Sequence, residues 1–149
     1  MATLDKSNLP LYTISMAAKL TGASVHTLRL YENEGLIIPF KKASKQRLYS
    51  NLDIERLKCI RIVINKERVG IEGIRRMLAL IPCWAIVKCT SQDRKNCKSF
   101  NNMSRPCWMA NAKLNHCKGR ICRECKVYED FSNFDNIKEN LKEFIVPLS

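Results

Sequence analysis

The chain lacks the features that most enzymes and membrane proteins need. No apolar run approaches the roughly 20 residues that cross a bilayer, and the first residues lack the charged-then-apolar order of a signal peptide. Only two histidines are present, and no serine, histidine and acid set for nucleophilic catalysis is apparent. We therefore expect a cytoplasmic protein that is not an enzyme and does not contact membranes.

Acidic residues are also scarce, 14 against 26 lysines and arginines, so the formal charge is +12. Only residues 129–149 are acidic overall, with five acids and two bases. A charge excess of this kind predicts attraction to a polyanion, although many basic faces are simply solvated. No solenoid-type repeat or low-complexity tract is present.

Residues 13–33 have the pattern of two helices joined by a tight corner. Thr13 can cap a helix with apolar positions Ile14, Ala17, Ala18 and Leu20, and Gly22 supplies the bend that ends it. Ser24 then caps a second helix. Its Val25, Leu28 and Tyr31 point inward or onto the flanks, which leaves polar and basic side chains toward solvent.

The next segments predict a wing and two more helices. Residues 40–47 are basic without a helical apolar period, which suits a short hairpin anchored by Leu48 and Tyr49. Ser50 and Asp53 form a capping box for a third helix that Gly70 stops. A fourth helix continues to Ile81, and Pro82 ends it and marks a domain boundary.

Residues 11–81 resemble the N-terminal domain of the MerR family of transcription regulators, and are closest to its HspR-like branch. The resemblance rests on the order L-R-x-Y-E-x-x-G-L, then R-x-Y-S, then D-I-E-R-L. It implies a homodimer that binds a palindromic promoter site in double-stranded DNA, together with RNA polymerase. Family members usually dimerise through a long helix after this domain, which Pro82 interrupts here.

The exposed faces of the two helices and the wing supply the predicted DNA contacts. They are Lys19, Ser24, His26, Thr27, Arg29, Tyr31, Lys41, Lys42, Lys45, Arg47 and Tyr49. The resemblance places Thr27, Arg29 and Tyr31 in or beside the major groove and makes Arg47 and Tyr49 wing contacts. The alternative for both tyrosines is a core position with only the hydroxyl at the surface.

Residues 82–130 hold seven cysteines and few apolar runs. Because little apolar area can be buried, this domain needs a stabilising cross-link to fold. Two Cys-Trp pairs and a closing C-x-x-C followed by an aromatic make it similar to the two-CW domain of bacterial proteins. Disulfides are disfavoured in a reducing compartment, so we expect a metal site. Its candidate ligands are Cys83, Cys89, Cys97, Cys107, Cys117, Cys122 and Cys125. Cys59 is expected to pack in the core of the third helix.

The thiolate-rich set suits an iron–sulfur cluster, and zinc is the alternative. Seven cysteines with His116 would make eight ligands, enough for two tetrahedral zinc sites. We favour the cluster because the MerR resemblance implies effector sensing at this position, redox sensing in one family member. Residues 131–149 are predicted to form an amphipathic helix from Asn133, with Phe134, Ile137, Leu141 and Phe144 or Ile145 as its stripe.

The predicted fold class is therefore mainly α. A winged helix-turn-helix domain at 1–81 is followed by a small metal-stapled, cysteine-rich domain at 82–130. A C-terminal amphipathic helix at 131–149 is the candidate dimer contact. The leading function is a transcription regulator that senses redox or metal state. Two other classes stay open: a zinc-stabilised repressor or architectural protein without a redox role, and a thiol-disulfide enzyme using Cys122 and Cys125, which lacks the expected strand-turn-helix context.

Overall fold

A computed structural model describes residues 8–87, 89–110, 121–130 and 137–143. The chain divides into two compact units, Met1–Ile71 and Glu72–Ser149. The elements of the first unit are β1 (Tyr12–Thr13), α1 (Ile14–Thr21), α2 (Val25–Asn33), β2 (Phe40–Lys41), β3 (Arg47–Tyr49) and α3 (Asn51–Asn65). The predicted order of two helices, a wing and a third helix is confirmed.

Both helices of the predicted pair begin at the expected caps. The Met16 N–H donates to Oγ1 of Thr13 at 3.3 Å, and the Thr27 N–H donates to Oγ of Ser24 at 3.0 Å. Gly22 ends α1 at φ 72°, a left-handed conformation that a residue with a Cβ adopts only with strain. The helix-turn-helix therefore follows from local capping and one glycine.

The wing is an antiparallel hairpin within a three-stranded sheet of order β1-β3-β2. Its register pairs Phe40 with Leu48 and Lys41 with Arg47, while β1 pairs Tyr12 with Tyr49. Lys45 turns the hairpin at φ 67°, and its N–H donates to the Lys42 carbonyl at 2.8 Å. The central strand β3 thus ties the wing to the start of α1.

The core of the first unit is apolar and is formed mainly by α1, α2, β3 and α3. Its most buried apolar residues include Ala17, Leu28, Leu36, Ile37, Tyr49, Leu57 and Ile60. The capping box of α3 is confirmed: the Ser50 N–H donates to Asp53 Oδ2 at 2.8 Å and the Asp53 N–H to Ser50 Oγ at 3.1 Å. Leu20, expected on the apolar face of α1, is instead exposed.

The end of α3 differs from the prediction. The helix stops at Asn65, five residues before Gly70, with the Lys66 N–H bonded to the Ile62 carbonyl at 2.8 Å. Arg68, not Gly70, adopts the left-handed conformation, at φ 57°. Gly70 has open space around it, so no close approach requires glycine there. Sequence reasoning assigned the helix stop to the wrong residue.

The second unit consists of short helices in the part of the chain that the structure describes. They are α4 (Ile71–Ala79, which begins at the division), α5 (Cys83–Ile86), α6 (Ser91–Asn96), α7 (Cys107–Ala110), a 3-10 turn (Cys122–Glu124), α8 (Lys126–Glu129) and α9 (Ile137–Lys142). Ile74, Leu78 and Ile81 are buried as their spacing predicts. The predicted domain boundary after Ile81 lies ten residues beyond the end of the first compact unit at Ile71, and it stays a prediction.

The predicted C-terminal helix is described only over its middle. Ile137 and Leu141 of its stripe lie on α9 and are half-buried. Asn133, Phe134, Phe144 and Ile145 lie outside the described residues. The length of this helix and its role in dimerisation stay predictions.

Candidate functional site

The solvent face of α2 carries the polar residues expected of a helix that reads DNA. His26 and Arg29 are exposed, and Thr27 is half-buried. The hydroxyls of Ser24 and Thr27 lie 2.9 Å apart, so the cap of α2 also orients Thr27. Lys19 is exposed on α1. These four side chains are thus exposed or half-buried on the two helices, as the sequence predicted.

A groove of about 450 Å³ lies between the start of α1, the side chain of Arg29 and the tip of the wing. Its lining residues are Thr13, Ile14, Ser15, Arg29, Ser44, Lys45, Gln46 and Arg47. Three carry positive charge and none is acidic. Thr13, Ser15 and Ser44 add hydroxyls, and the backbone N–H groups at a helix start favour anions. The groove therefore has the chemistry of a phosphate site.

The groove brings together residues that the sequence analysis assigned to separate elements. Arg29, Lys45 and Arg47 were predicted contacts on two different elements, and the fold brings them to one place. Ser15, Ser44 and Gln46 were missed, because small polar residues in a first turn or a hairpin tip have no distinctive sequence pattern. Thr13 was assigned only as a helix cap.

Glu32, near the end of α2, forms ion pairs with two of the residues predicted to contact DNA. Its Oε1 lies 3.0 Å from Lys41 Nζ, and its Oε2 lies 2.5 Å from Arg47 Nε. The Glu32 side chain is only 11% exposed, whereas Lys41 is 51% exposed. These two ion pairs fasten both strands of the wing to α2, so Lys41 and Arg47 are partly neutralised. Lys42 and Lys45 are exposed on the turn.

Tyr31 and Tyr49 are buried, which corrects the expectation that they face DNA. Tyr31 is 4% exposed and Tyr49 is fully buried. The Tyr49 hydroxyl has no hydrogen-bond partner among the described residues. Burial, reinforced by the nearby Glu32 carboxylate, raises the pKa of Tyr49 to about 12. Both tyrosines act in the core of the first unit, and we leave them out of the proposed contacts.

Six of the seven candidate metal ligands are described, and all six are half-buried cysteines that form no disulfide. The Cys107 thiol hydrogen-bonds the Cys83 thiol and lowers the pKa of Cys83 to about 7. Burial and the neighbouring Cys125 raise the pKa of Cys122. Cys97 Sγ lies 3.0 Å from Ser99 Oγ. Among the described cysteines, two pairs thus influence each other: Cys83 with Cys107, and Cys122 with Cys125.

These pairs do not form a metal site in the part of the chain that the structure describes. No three cysteine, histidine, aspartate or glutamate side chains there lie close enough to hold one ion. Cys117 and His116 lie outside the described residues. The described residues alone therefore do not fit a closed tetrahedral zinc site or a four-cysteine cluster, which need four ligands around one centre. Cys59 is half-buried on α3, as expected of a packing residue.

The two tryptophans of the Cys-Trp pairs each pack edge-on against another aromatic ring. Trp84 meets Phe100 at a centroid distance of 5.3 Å, and Trp108 meets Tyr128 at 5.2 Å. Trp108, Val127 and Tyr128 are buried, so this contact forms part of a small core around α8. Trp108 therefore stabilises the cysteine-rich unit by packing, whereas Trp84 is 37% exposed.

Two capped helices, a glycine corner and an attached hairpin define a winged helix-turn-helix domain, a class of DNA-binding module. Residues 12–81 match the family model described as MerR HTH family regulatory protein. The N-terminal domain is thus a MerR-family helix-turn-helix domain, as the sequence motifs predicted. The match ends at Ile81, and the family comparison leaves the cysteine-rich segment unassigned.

Three curated relatives share this part of the chain. The heat shock protein HspR of Streptomyces coelicolor is 39% identical over 71 residues, which is 48% of this chain and 47% of that protein. The transcriptional regulators TnrA of Bacillus subtilis and GlnR of Bacillus anthracis are 36% and 28% identical, over 48% and 51% of this chain. The chain covers 64% and 58% of their lengths. It thus spans roughly half to two thirds of these relatives.

The helices in the described portion of the chain were also compared with the length and hydropathy that a membrane span requires. None of them is long and apolar enough to cross a bilayer.

Proposed function

We propose that this protein is a DNA-binding transcription regulator. The groove lined by Arg29, Lys45 and Arg47 supports the proposal most directly, because it places three cations and a helix start beside the exposed face of α2. A DNA phosphate held there would position α2 so that His26 and Thr27 reach base edges. The relatives named as transcriptional regulators, GlnR and TnrA, match the same domain.

The proposed contacts fall into two groups. Residues of α2 and its cap other than Arg29 read bases in the major groove, while Arg29, the wing and α1 bind phosphates. The set is Lys19, Ser24, His26, Thr27, Arg29, Lys41, Lys42, Lys45 and Arg47. Lys41 and Arg47 act with their positions fixed by Glu32. The net charge of +12 adds a long-range attraction that depends on salt.

A homodimer on a palindromic promoter is part of the same proposal. Two copies of α2 would enter successive major-groove segments about 34 Å apart, because one helical turn separates half-sites read from the same face. Such a regulator acts next to RNA polymerase in the cytoplasm, where the promoter is.

The cysteine-rich unit is proposed as the effector module. The iron–sulfur cluster expected from sequence, with zinc as the alternative, remains part of the proposal. Cys122 and Cys125 have the spacing for two ligands of one centre, and a further pair must come from the other cysteines. A cluster would supply redox sensitivity to this unit. Metal analysis and visible absorbance of anaerobically purified protein, before and after dithionite, distinguish cluster from zinc.

Footprinting of the full-length protein on genomic DNA fragments tests the main proposal. A regulator protects a short palindromic site at a concentration where random competitor stays unprotected. Broad coating of all fragments would instead indicate an architectural protein. The absence of any protection at low salt would contradict both functions.

A further inference from the structure

The tryptophans of the two Cys-Trp pairs lie in different environments within the second unit. Trp108 is 7% exposed and belongs to the small core around α8, whereas Trp84, on α5, is 37% exposed. The ring that Trp84 contacts is also at the surface: Phe100 is 36% exposed and meets Trp84 edge-on at a centroid distance of 5.3 Å. Packing in a core therefore accounts for Trp108 but not for the exposed pair of rings.

The stretch of chain that carries this pair of rings is strongly basic. The guanidinium of Arg94 lies 6.0 Å from the centroid of the Phe100 ring, within the range of a cation–π contact. Residues 82–110 contain five lysines and arginines and a single acid, Asp93. The Asp93 carboxylate is already used in the cap of α6. Exposed cations in the described part of this stretch are Lys95, Lys98 and Arg105.

A series of turns presents Phe100 at the surface. The Phe100 N–H donates to the Cys97 carbonyl at 3.3 Å, and the Arg105 N–H donates to Oδ1 of Asn102 at 3.0 Å. Because these bonds are local, Phe100 and the cations on either side of it in the sequence belong to one short ordered segment. Aromatic and positively charged side chains are thus displayed together.

We propose that the surface formed by Trp84, Phe100 and Arg94, here called the aromatic surface, binds a single strand of nucleic acid. Unpaired bases stack on exposed aromatic side chains, and neighbouring cations attract the phosphates of the same strand. The indole of Trp84 receives a base, while Arg94 and the exposed lysines bind the backbone. The inference goes beyond the proposed function, which concerns duplex DNA, whose bases are already stacked on one another.

Charge favours a nucleic acid strand over a second copy of this chain at the aromatic surface. A second copy would bring the same five cations opposite one another, and like charges at a contact are unfavourable. An acidic peptide would supply the negative charge but not a ring face at every position. A single strand supplies both, since each nucleotide carries a phosphate and a base with a π face. Such strands occur as opened DNA and as RNA, and the experiment separates these two sources.

Fluorescence anisotropy of a labelled oligothymidylate of about 12 nucleotides, mixed with the full-length protein, tests the proposal. A salt concentration of about 0.2 M weakens binding that depends on charge alone. Trp84→Ala should lower the affinity about tenfold, because the stacking of a base is lost. Met103→Ala is the control: this side chain is 69% exposed but has no ring, so its loss should leave the affinity unchanged. Tighter binding of an oligouridylate of the same length identifies RNA as the natural strand, and tighter binding of the oligothymidylate identifies DNA.

Trp84→Phe provides a second measurement that a purely structural role of Trp84 would not affect. The variant keeps a ring for stacking, so its affinity should stay within about twofold of the original. Unlabelled oligothymidylate should reduce the tryptophan emission of the original protein but not that of Trp84→Phe, because the chain's other tryptophan, Trp108, is buried. Equal affinity of Trp84→Ala and the original protein would overturn the proposal, and so would an unchanged emission in the original protein on binding.

The other occupants are tested on the same samples. Tighter binding of polyglutamate than of either oligonucleotide would overturn the proposal in favour of an acidic peptide. Loss of self-association in Trp84→Ala, with oligonucleotide affinity unchanged, would overturn it in favour of a second copy. Footprinting on duplex fragments is repeated with Trp84→Ala, which should protect the same site as the original protein. Absence of duplex protection in both proteins would contradict the proposed function, whereas the aromatic surface is judged by the oligonucleotide affinities alone.

Discussion

Glu32 and Arg47 are joined by an ion pair of 2.5 Å that links the end of α2 to β3, the wing strand at the centre of the sheet. The Arg47 side chain is 29% exposed and Glu32 only 11%, so the pair is partly shielded from water. Lys41, opposite Arg47 in the hairpin register, shares the same carboxylate. One acid in a basic surface thus sets the position of the wing relative to the helix proposed to read DNA.

Replacing Glu32 with glutamine should loosen the wing and free both cations. We expect unfolding to cost about 1 kcal/mol less, since partly shielded ion pairs contribute somewhat more than exposed ones. The slope of log affinity against log salt concentration should steepen by an amount that corresponds to about one to two added phosphate contacts. The reason is that Lys41 and Arg47 then become available to phosphates. Urea unfolding and binding measured at several salt concentrations check both effects.

Glu55→Gln is the matched control for Glu32. It removes the same charge from a side chain that is 72% exposed and pairs loosely with Lys58 at 3.7 Å. Its stability should change little. Equal effects in the two variants would mean that Glu32 does not position the wing.

Arg29→Ala should weaken binding to all DNA sequences by a similar factor. In the structure Arg29 lies in the groove with Lys45 and Arg47, which favours a phosphate contact over a base contact. Removing one phosphate contact should lower the slope of log affinity against log salt by about 0.9. Arg76→Ala removes the same charge from the exposed surface of α4 and should leave binding nearly unchanged. A loss confined to one base position would instead make Arg29 a base-reading residue, and unchanged affinity would exclude it as a contact.

The local part of this fold was predictable from the sequence because its signals are local. Thr13, Ser24 and Ser50 cap helices through hydrogen bonds to N–H groups three residues on, and Gly22 satisfies one backbone angle. Such signals need no knowledge of the rest of the chain. The wing also followed from a basic segment between a helix and two anchoring residues.

The site itself was only partly predictable, since its key relationships join distant residues. The ion pair between Glu32 and Arg47 joins residues 15 positions apart. A glutamate among several basic residues could pair with any of them, so the sequence does not identify its partner. The tyrosines were assigned to DNA because aromatic residues with a polar tip suit both core and surface. The hydrogen bond from Cys107 that lowers the pKa of Cys83 joins residues 24 positions apart, and cysteine spacing does not predict it.

Ser50→Ala tests the capping box of α3. Ser50 is fully buried, and the exchange removes the acceptor for the Asp53 N–H. We expect a loss of about 1 to 2 kcal/mol in the free energy of unfolding. Thr90→Ala removes a similar box from the six-residue helix α6, where both hydrogen bonds are exposed, and should cost less. Chemical denaturation of both variants measures the difference, and an equal cost would show that burial of Ser50 adds nothing.

Replacing both Cys122 and Cys125 with serine tests the proposed metal centre. If these cysteines supply two of its ligands, the variant should lose bound iron or zinc and its second unit should unfold. The first unit should keep its helices, because its core is separate. Elemental analysis and circular dichroism report the two effects, and Cys59→Ser is the control that should retain metal. Full metal content in the double variant would show that other residues are the ligands.

Tyr49→Phe should change the pH dependence of stability without weakening DNA binding. The folded protein holds the pKa of Tyr49 at about 12, above the ordinary 10.0, because burial disfavours the phenolate. The unfolded chain therefore releases this proton at lower pH, so stability present below pH 10 is lost as pH rises toward 12. At about pH 11 the loss from this group is about 1.4 kcal/mol.

The phenylalanine variant lacks the group, and its stability should fall by that much less between about pH 9 and about pH 11 in urea unfolding. Near neutral pH it should be as stable as the parent or more so, because it removes a buried hydroxyl without a partner in the described residues. An identical pH dependence in both proteins would mean that the Tyr49 hydroxyl ionises as it would in water, and a loss of DNA affinity would return Tyr49 to the set of contacts.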